Sequence, residues 1–441
     1  MPILDTTVPA LVLKMGRYPI HHGTLGVIRS LGRLGVEVYA VVEDRFIPSA
    51  MSRYLTGSFS WKTYGVEEPY LTGLSAIGKQ LGRPAILVPT DDYAAAFIAE
   101  HSASLERWFL FPRLPRGLPR QLANKRILSS LCKSIAVPHP EVAFPGSLED
   151  VHAFLDRASF PVVVKAADAH LLPNGARSTS LARNPKELLA LYELATSAEG
   201  SNLIFQEYIP FSSAEDWIFH GYSNPQTGCQ VSFTGKKLRS YPPFAGPTTL
   251  GVSVRNETLA MQSEKLLKAI GYAGIMDLDY RFDKRDGQYK LLDFNPRIGA
   301  NFRMFENADG VDVVRALHLD LTGRAVLQSP PVYGRKLLVE SHDLSASLGY
   351  LRDGGLTLGA WWQSLKGKKE LAWFSWEDPV PASVLYFRLL FRVVGRAVRR
   401  AAELGGRLSK ARGERRSPAA IVRPCEEVVT SVQAAGRGRL Q

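Results

Sequence analysis

The stretch that decides the fold is Leu291-Leu292-Asp293-Phe294-Asn295-Pro296-Arg297, in which polar and apolar residues alternate around a proline. Asp277-Leu278-Asp279-Tyr280 alternates in the same way, and Asp286-Gly287 between the two segments is a hairpin signal. If residues 285–287 form a three-residue loop, Asp279 falls opposite Asp293. The two-residue period of a strand then puts four polar side chains on one sheet face: Asp277, Asp279, Asp293 and Asn295.

Such a face needs a cation, because the carboxylates that share it repel one another. Mg²⁺ fits, since it takes oxygen ligands from few protein carboxylates and completes its shell with water and substrate phosphates. Arg297 continues the alternation and can pair with a phosphate through its planar fork. Taken alone, residues 293–297 are also typical of a strand end followed by an Asn-Pro turn. The paired aspartates upstream favour the metal site.

Two lysines supply the positive charge that a phosphate substrate requires. Lys125 follows Asn124 at the start of a predicted helix, and Lys165 ends the apolar segment 160–165. A buried ammonium group needs an anionic partner, which a triphosphate would provide. Taken alone, Lys165 is also typical of a solvated strand end. Residues 174–180 can cover phosphates with backbone N–H groups, but the Walker A spacing is absent and no P-loop is expected.

The first hundred residues predict a parallel α/β sheet. Its first βαβ unit has a strand at 8–13, a loop at 16–23, a helix capped by Thr24 and a strand at 36–42. Residues 85–92 repeat the pattern of a strand followed by a loop. Loops after strand carboxyl ends tend to hold ligands in such sheets. His21-His22 and Asp91 are therefore candidates for substrate binding, although both are equally typical of residues at helix starts.

Composition and charge exclude several classes of protein. The 441 residues carry 54 Lys and Arg against 42 Asp and Glu, a net charge of +12, of which +9 lies in residues 381–441. The basic character belongs to this tail, so no nucleic-acid partner is expected. Three cysteines far apart in sequence make neither a disulfide framework nor a zinc site. With no secretory signal and no segment apolar enough to span a membrane, we expect a cytoplasmic protein.

In their order along the chain, these pieces resemble the ATP-grasp superfamily, and more closely its carboxylate–amine ligases and the D-aspartate-ligase-like group. The resemblance covers about residues 10–325 and includes the apolar strand and turn at 204–210. It implies α/β and α+β architecture, with an N-terminal parallel α/β pre-ATP-grasp domain before a two-lobed ATP-grasp fold. It also implies an ADP-forming ligase that converts a small-molecule carboxylate to an acyl phosphate, which an amine attacks to give an amide.

The resemblance implies roles for individual residues as well. The phosphate-contacting lysines are Lys125 and Lys165, and the ligands of Mg²⁺, or alternatively Mn²⁺, are Asp279, Asp293 and Asn295. The hinge beside adenine comprises Gln206, Glu207, Tyr208 and Ile209. The acid that binds ribose is Glu215, with Asp216 as the alternative. The catalytic cations are Arg297, at the transferring phosphoryl group, and Lys237 or Arg239 on a basic strand.

The chain departs from the family in two places. Both metal-binding acids are Asp where Glu is more usual, and the shorter side chain implies a slightly different metal position. The loop at 166–180 is also less glycine-rich than in many relatives. Its candidates for phosphate contact are His170 and Arg177.

We expect four segments: a pre-ATP-grasp domain at 1–118, an ATP-grasp domain at 119–325, an extension packed on the core at 326–380 and a basic tail at 381–441. On a helical wheel over 384–404, arginines share one side and apolar residues fill much of the other. Such an amphipathic helix either lies in an anionic membrane interface or docks on the protein. The first alternative adds peripheral contact with the inner face of the membrane. C-terminal to Leu404, the composition predicts disorder.

Three other functions stay open. An ATP-grasp carboxylase or kinase would release ADP without an amine. A ligase at the membrane would act on a lipid-linked or cell-wall precursor, which only the tail supports. A non-catalytic nucleotide-binding regulator would keep the fold alone, but the complete acidic and basic set argues against it. The sequence names neither the carboxylate, nor the amine, nor the oligomeric state.

Overall fold

The structure is a computed structural model. It describes residues 2–16, 21–61, 67–166, 179–197, 200–201, 203–244, 246–367, 369–392 and 394–395. The proposed phosphate contacts His170 and Arg177 lie outside the described residues, as do most of segment 174–180 and most of the tail. Only Thr179 and Ser180 of that segment are described, and they begin a strand.

A parallel five-stranded sheet opens the chain, as predicted. Its strands are β1 (Ala10–Leu13), β2 (Val38–Val42), β3 (Gly57–Ser60), β4 (Ala85–Pro89) and β5 (Phe109–Leu110), in the order β3-β2-β1-β4-β5. Its helices are α1 (His22–Gly32), α2 (Glu68–Leu81), α3 (Asp92–Glu100) and α4 (Ser102–Leu105). Strand β1 is buried throughout, as expected when helices cover both faces. Helix α1 begins before Thr24, so the predicted cap is wrong: this side chain is buried, 3.5 Å from the Thr90 hydroxyl.

A second, antiparallel sheet follows two short helices, α5 (Leu118–Ala123) and α6 (Lys125–Ser134). Its strands are β6 (Val142–Ala143), β7 (Val162–Ala166), β8 (Thr179–Ala182) and β11 (Leu203–Glu207), in the order β6-β11-β7-β8. Helices α7 (Leu148–Leu155) and α8 (Pro185–Ala195) belong to the same region, with a small hairpin of β9 (Thr196–Ser197) and β10 (Gly200–Ser201). Phe154, Val164 and Phe205 are buried in its core.

The third sheet has seven strands in the order β16-β15-β12-β13-β14-β17-β18. They are β12 (Ala214–Asn224), β13 (Gly228–Ser240), β14 (Thr248–Ser253), β15 (Gly274–Asp283), β16 (Gln288–Asn295), β17 (Lys336–Leu338) and β18 (Lys369–Leu371). The helices of this region are α9 (Glu257–Ile270), α10 (Val313–Leu321), α11 (Glu340–Arg352) and α12 (Leu358–Ser364). Its strands pair antiparallel except for β17 and β18, which pair in parallel.

The hairpin of β15 and β16 aligns its polar side chains as predicted, but by a different route. Asp279 lies opposite Asp293, and Asp277 lies opposite Asn295. The loop has four residues, 284–287, rather than three, and the register shifts by one between Asp279 and Tyr280. The extra residue of this bulge is Leu292, which compensates for the longer loop. The predicted pairing is therefore confirmed, whereas the predicted loop is wrong.

The C-terminal extension is tied to the first sheet region by a buried aspartate. Asp378 accepts hydrogen bonds from Arg29 Nε at 2.9 Å, from Ser52 Oγ at 2.7 Å and from the backbone N–H of Arg53 at 2.9 Å. Glu340 fastens the same extension by accepting three backbone N–H groups, those of residues 372–374.

Contacts divide the chain into two units, residues 1–386 and 387–441. The first contains all three large sheets, so the expected segments 1–118, 119–325 and 326–380 are parts of one unit. In the second, residues 387–392 and 394–395 are helical. None of the helices that the structure describes is long and apolar enough to cross a membrane.

Candidate functional site

Two aspartates on one face of the seven-stranded sheet are each held by a lysine. Lys237 Nζ lies 2.6 Å from Asp279 Oδ1, and Lys125 Nζ lies 2.6 Å from Asp293 Oδ1. Lys237 comes from β13, whereas Lys125 begins α6, where Asn124 caps the helix by accepting two backbone N–H groups. The predicted metal ligands thus meet a predicted phosphate-contacting lysine and a predicted catalytic one.

Burial sets the electrostatics of Asp279. It raises the pKa of this carboxyl, and Asp277 and Asp293 raise it further against the opposing effect of Lys237. Burial also lowers the pKa of Lys237, but Asp279 and the neighbouring aspartates outweigh this effect and leave that pKa raised. The face therefore carries negative charge that a further cation would relieve.

Mg²⁺ fits this face. Asp279 and Asp293 present carboxylate oxygens there, and Asn295 presents an amide oxygen that also accepts a hydrogen bond from Arg297. Among the described residues, no three His, Cys, Asp or Glu side chains are grouped closely enough to hold a metal by themselves. A cation here would depend on two carboxylates together with substrate phosphates, which is the arrangement Mg²⁺ usually takes at phosphates.

Lys165 faces the same space from the four-stranded sheet. It extends from β7, and its Nζ donates to Gln206 Oε1 on β11 at 3.0 Å. Burial, with a smaller effect of Lys125, lowers the pKa of Lys165 to about 8. Two neighbouring lysines form a place that suits an anion. Their contact with phosphate stays a prediction.

The predicted hinge has one side chain that is already engaged. The Glu207 carboxylate contacts Arg285 Nη2 at 2.5 Å and Lys290 Nζ at 3.2 Å. Tyr208 is half-buried and Ile209 is buried. The Glu207 backbone N–H is engaged as well, since it donates to Glu141 O at 2.8 Å. Contact between this segment and a base stays a prediction.

A pocket lies between this hinge and the hairpin. Its lining includes Lys125, Cys132, His139, Gln206, Leu291 and Leu292. Apolar side chains with a few polar groups among them are typical of small-molecule sites. The bulged Leu292 contributes one of these apolar side chains.

Glu215 is not on the face that holds the aspartates, so this prediction is corrected. Side chains alternate along β12, and Glu215 pairs with Lys236 at 2.7 Å on the opposite face. Asp216 lies on the aspartate face, where Arg281 Nε is 2.7 Å from its Oδ1 and Arg281 Nη2 is 3.1 Å from its Oδ2. Of the two acids, Asp216 is the one that shares the aspartate face, and its contact with ribose stays a prediction.

Arg297 is the centre of a polar network. Its guanidinium lies 2.9 Å from Asn295 Oδ1, 3.4 Å from Asp277 Oδ2 and 3.2 Å from Asp92 Oδ1. Asp277 in turn lies 2.8 Å from Nε2 of the buried His220. Although burial opposes it, His220 and then Arg297 lower the pKa of Asp277 to about 2. Arg297 also donates to the backbone oxygen of Ile298 at 3.1 Å, so four acceptors orient it, and it remains 17% exposed.

Arg239 does not belong to this group, and its prediction as a catalytic cation is corrected. Its side chain is 2% exposed and makes two bonds to the Asp343 carboxylate, at 2.9 and 2.8 Å. It also donates to Ser364 Oγ at 2.6 Å. Its partners lie on α11 and α12, and a register shift between residues 237 and 239 separates it from Lys237.

The two loops of the parallel sheet differ in what they offer. Asp91 caps α3 by accepting the Ala94 N–H, and it also accepts the N–H groups of Met15 and Gly16 at 2.7 and 3.0 Å. Its carboxylate is thus used structurally, as the capping alternative predicts. His22 packs edge-on against Trp373, with ring centroids 5.8 Å apart. A substrate contact by His21 or His22 stays a prediction.

Sequence reasoning missed two participants, His220 and Arg281. It did include Asp92, but only as part of a loop expected to hold a ligand. His220 and Arg281 lie within strand patterns that the alternation alone explains. The signal for Arg281 was available, because it continues the two-residue period from Asp277 and Asp279. No sequence signal pointed to His220.

The chain matches the family described as Carbamoyl-phosphate synthase L chain, ATP binding domain, over residues 245–321. It is 25% identical to D-aspartate ligase of Enterococcus faecium over 247 residues, which cover 52% of this chain and 57% of that ligase. Biotin carboxylase 1 of Bacillus subtilis is 22% identical over 310 residues, 66% of each chain. The chain spans little more than half of the ligase and less than a fifth of a carbamoyl phosphate synthase large chain.

Solved structures resemble it over most of its length. N5-carboxyaminoimidazole synthetase from Staphylococcus aureus, complexed with ADP, has a TM-score of 0.58 at 13% identity and covers 80% of this chain and 88% of its own. L-amino acid ligase from Bacillus licheniformis has a TM-score of 0.52 at 14% identity, with 75% and 76% covered. The chain has the ATP-grasp fold. Proteins similar to the chain include both a D-aspartate ligase and a biotin carboxylase.

Proposed function

We propose that this protein is an ATP-dependent, ADP-forming ligase that joins a carboxylate to an amine through an acyl phosphate. The observation that carries the proposal is the meeting of Lys125, Lys165 and Lys237 with the acidic hairpin and Arg297. These groups come from two sheets and one helix, and together they match what a triphosphate and its metal require. The names of the relatives, which include amino-acid ligases, support the same activity.

In this proposal the residues act by positioning and by neutralising charge. Lys125 and Lys165 hold the phosphates, and the pocket between Gln206 and the hairpin holds adenine. Mg²⁺, held by Asp279, Asp293 and Asn295, would supply charge neutralisation on the phosphate oxygens. Arg297 spans the transferred phosphoryl group with its planar fork. The carboxylate attacks the terminal phosphorus, ADP leaves, and the amine then displaces phosphate from the acyl carbon.

The experiment measures ADP release with MgATP over a panel of amino acids, dipeptides and hydroxy acids, each with and without an added amine. Asp293→Ala serves as the blank, because it removes one metal ligand. Release that needs both an acid and an amine supports the ligase. Release that needs an acid alone supports the carboxylase or kinase alternative. MgATP binding without release on any panel member would contradict catalysis and favour a nucleotide-binding regulator.

The second unit supports a further proposal, peripheral contact with an anionic membrane. Phe387, Leu390, Phe391 and Val394 are exposed and follow a helical spacing of three and four residues. Basic residues follow them along the tail. Full-length protein should sediment with phosphatidylglycerol vesicles and not with phosphatidylcholine vesicles, and Phe391→Asp should weaken the binding. Equal binding by the variant would contradict the contact.

A further inference from the structure

Asp92 is an acidic side chain that the proposed mechanism leaves without a task. It is the first residue of α3, directly after the loop that ends β4. Its neighbour Asp91 is fully used by three backbone N–H groups. Asp92 instead points across to the ATP-grasp region, where its Oδ1 lies 3.2 Å from Arg297 Nε. The parallel sheet thereby delivers one carboxylate to the reacting end of the site.

This carboxylate is open to a ligand. The Asp92 side chain is 42% exposed, whereas Arg297 beside it is 17% exposed. The remaining face of Arg297 is occupied by Asn295 and Asp277. A molecule that approaches the phosphoryl-binding arginine from the parallel sheet therefore meets Asp92 first.

The charge around Asp92 favours a cationic ligand. Partial burial raises its pKa, and Asp91, Asp277 and Asp293 raise it further, while Arg297 opposes them. Asp92 also acts on a neighbouring phenol, since its charge helps to raise the pKa of Tyr272. One arginine thus faces several carboxylates. Because Asp92 lies at the N-terminus of α3, the helix dipole favours the ionised form of its carboxyl group. An ammonium group would complete the balance of charge.

We propose that Asp92 binds the ammonium group of the amine substrate and accepts the proton that it must lose before attack. The inference rests on the proposed function. One proton passes to the Asp92 carboxylate, the amine nitrogen forms a bond to the acyl carbon, and the bond from that carbon to the phosphate oxygen breaks. The departing phosphate takes the second proton, leaving hydrogen phosphate, an amide and a protonated Asp92 that returns its proton to water.

Hydroxylamine separates this role from others, because it is largely uncharged at neutral pH and needs no base to trap an acyl phosphate as a hydroxamate. The test compares hydroxamate formation with amide formation, using ammonium chloride and each amino acid as amine, in wild type, Asp92→Asn and Asp92→Glu. Glu100→Gln is the matched control. It neutralises an acid at the other end of α3 that also pairs with an arginine, Arg120, at 2.8 Å.

We expect Asp92→Asn to lower amide formation about a hundredfold, in the usual range for a general base, and hydroxamate formation far less. Asp92→Glu should recover part of the amide formation, and Glu100→Gln should resemble wild type. An equal loss of both products in a folded Asp92→Asn variant would overturn the inference and assign Asp92 to holding Arg297. Wild-type protein that forms neither product with any acid would overturn the proposed function itself.

Discussion

At the scale of single residues, Lys165 loses its charge at a pH where most lysines keep theirs. Because burial and Lys125 lower its pKa to about 8, it is largely protonated at pH 7 and largely neutral at pH 9. Phosphates favour the protonated form, so ATP affinity should fall by about tenfold between these two pH values. Calorimetric titration of MgATP at both pH values measures the change.

Lys165→Arg provides the control for this prediction. Arginine stays protonated over the whole range, so the ATP affinity of the variant should vary little between pH 7 and pH 9. A parallel fall in wild type and variant would assign the pH dependence to another group.

At the scale of elements, the β15–β16 hairpin is closed by a buried acid. Asp283 is fully buried, and Arg285 and Lys290 hold its pKa well below the usual range. Asp283→Asn leaves both cations without this partner and should lower the free energy of unfolding by on the order of 2 kcal/mol at pH 7. Urea denaturation of both proteins measures the difference.

The matched control is Asp286→Asn, in the same loop. Asp286 also lies 2.9 Å from Lys290 Nζ but is 38% exposed, so its loss should cost well under about 1 kcal/mol. A lowered aspartate pKa contributes stability at neutral pH, and this contribution is lost as pH falls below about 4. The gap between wild type and Asp283→Asn should therefore narrow in acid, and a gap independent of pH would contradict the assignment.

Strand periodicity explains how much of this site could be predicted. The period of two is local and explains why Asp277 shares a face with Asp279, and Asp293 with Asn295. The pairing between the two strands is predicted correctly only because the bulge at Leu292 offsets the longer loop. The choice between Glu215 and Asp216 also depends on the two-residue period. Which of the two lies on the aspartate face is determined by the register in which β12 pairs with β15. That register is a long-range pairing, as are the contacts of Arg239 with α11 and α12. The local sequence pattern does not specify such long-range pairings.

At the scale of the whole molecule, Asp378 ties the end of the first unit back to its beginning. Arg29 is fully buried, and Asp378 is its carboxylate partner at 2.9 Å. Asp378→Ala leaves the Arg29 guanidinium buried without a carboxylate partner and should lower the free energy of unfolding by about 3 kcal/mol. Glu377→Ala is the control, because Glu377 pairs with Arg33 while 62% exposed and should cost far less. Equal losses in the two variants would contradict this role.

The sequence predicts the order of the domains but not the contact between Asp378 and Arg29, which lie more than three hundred residues apart.

The lysine that rests on each aspartate also determines how the site is filled. Lys237 and Lys125 neutralise Asp279 and Asp293 at 2.6 Å before any nucleotide arrives. Under the proposed function, these ion pairs would have to open, so that the lysines could turn to phosphate oxygens and the aspartates to a metal. Nucleotide alone would leave two bare carboxylates beside its phosphates, and metal alone would leave two bare ammonium groups beside it. The proposal therefore implies that nucleotide and metal bind together rather than one after the other.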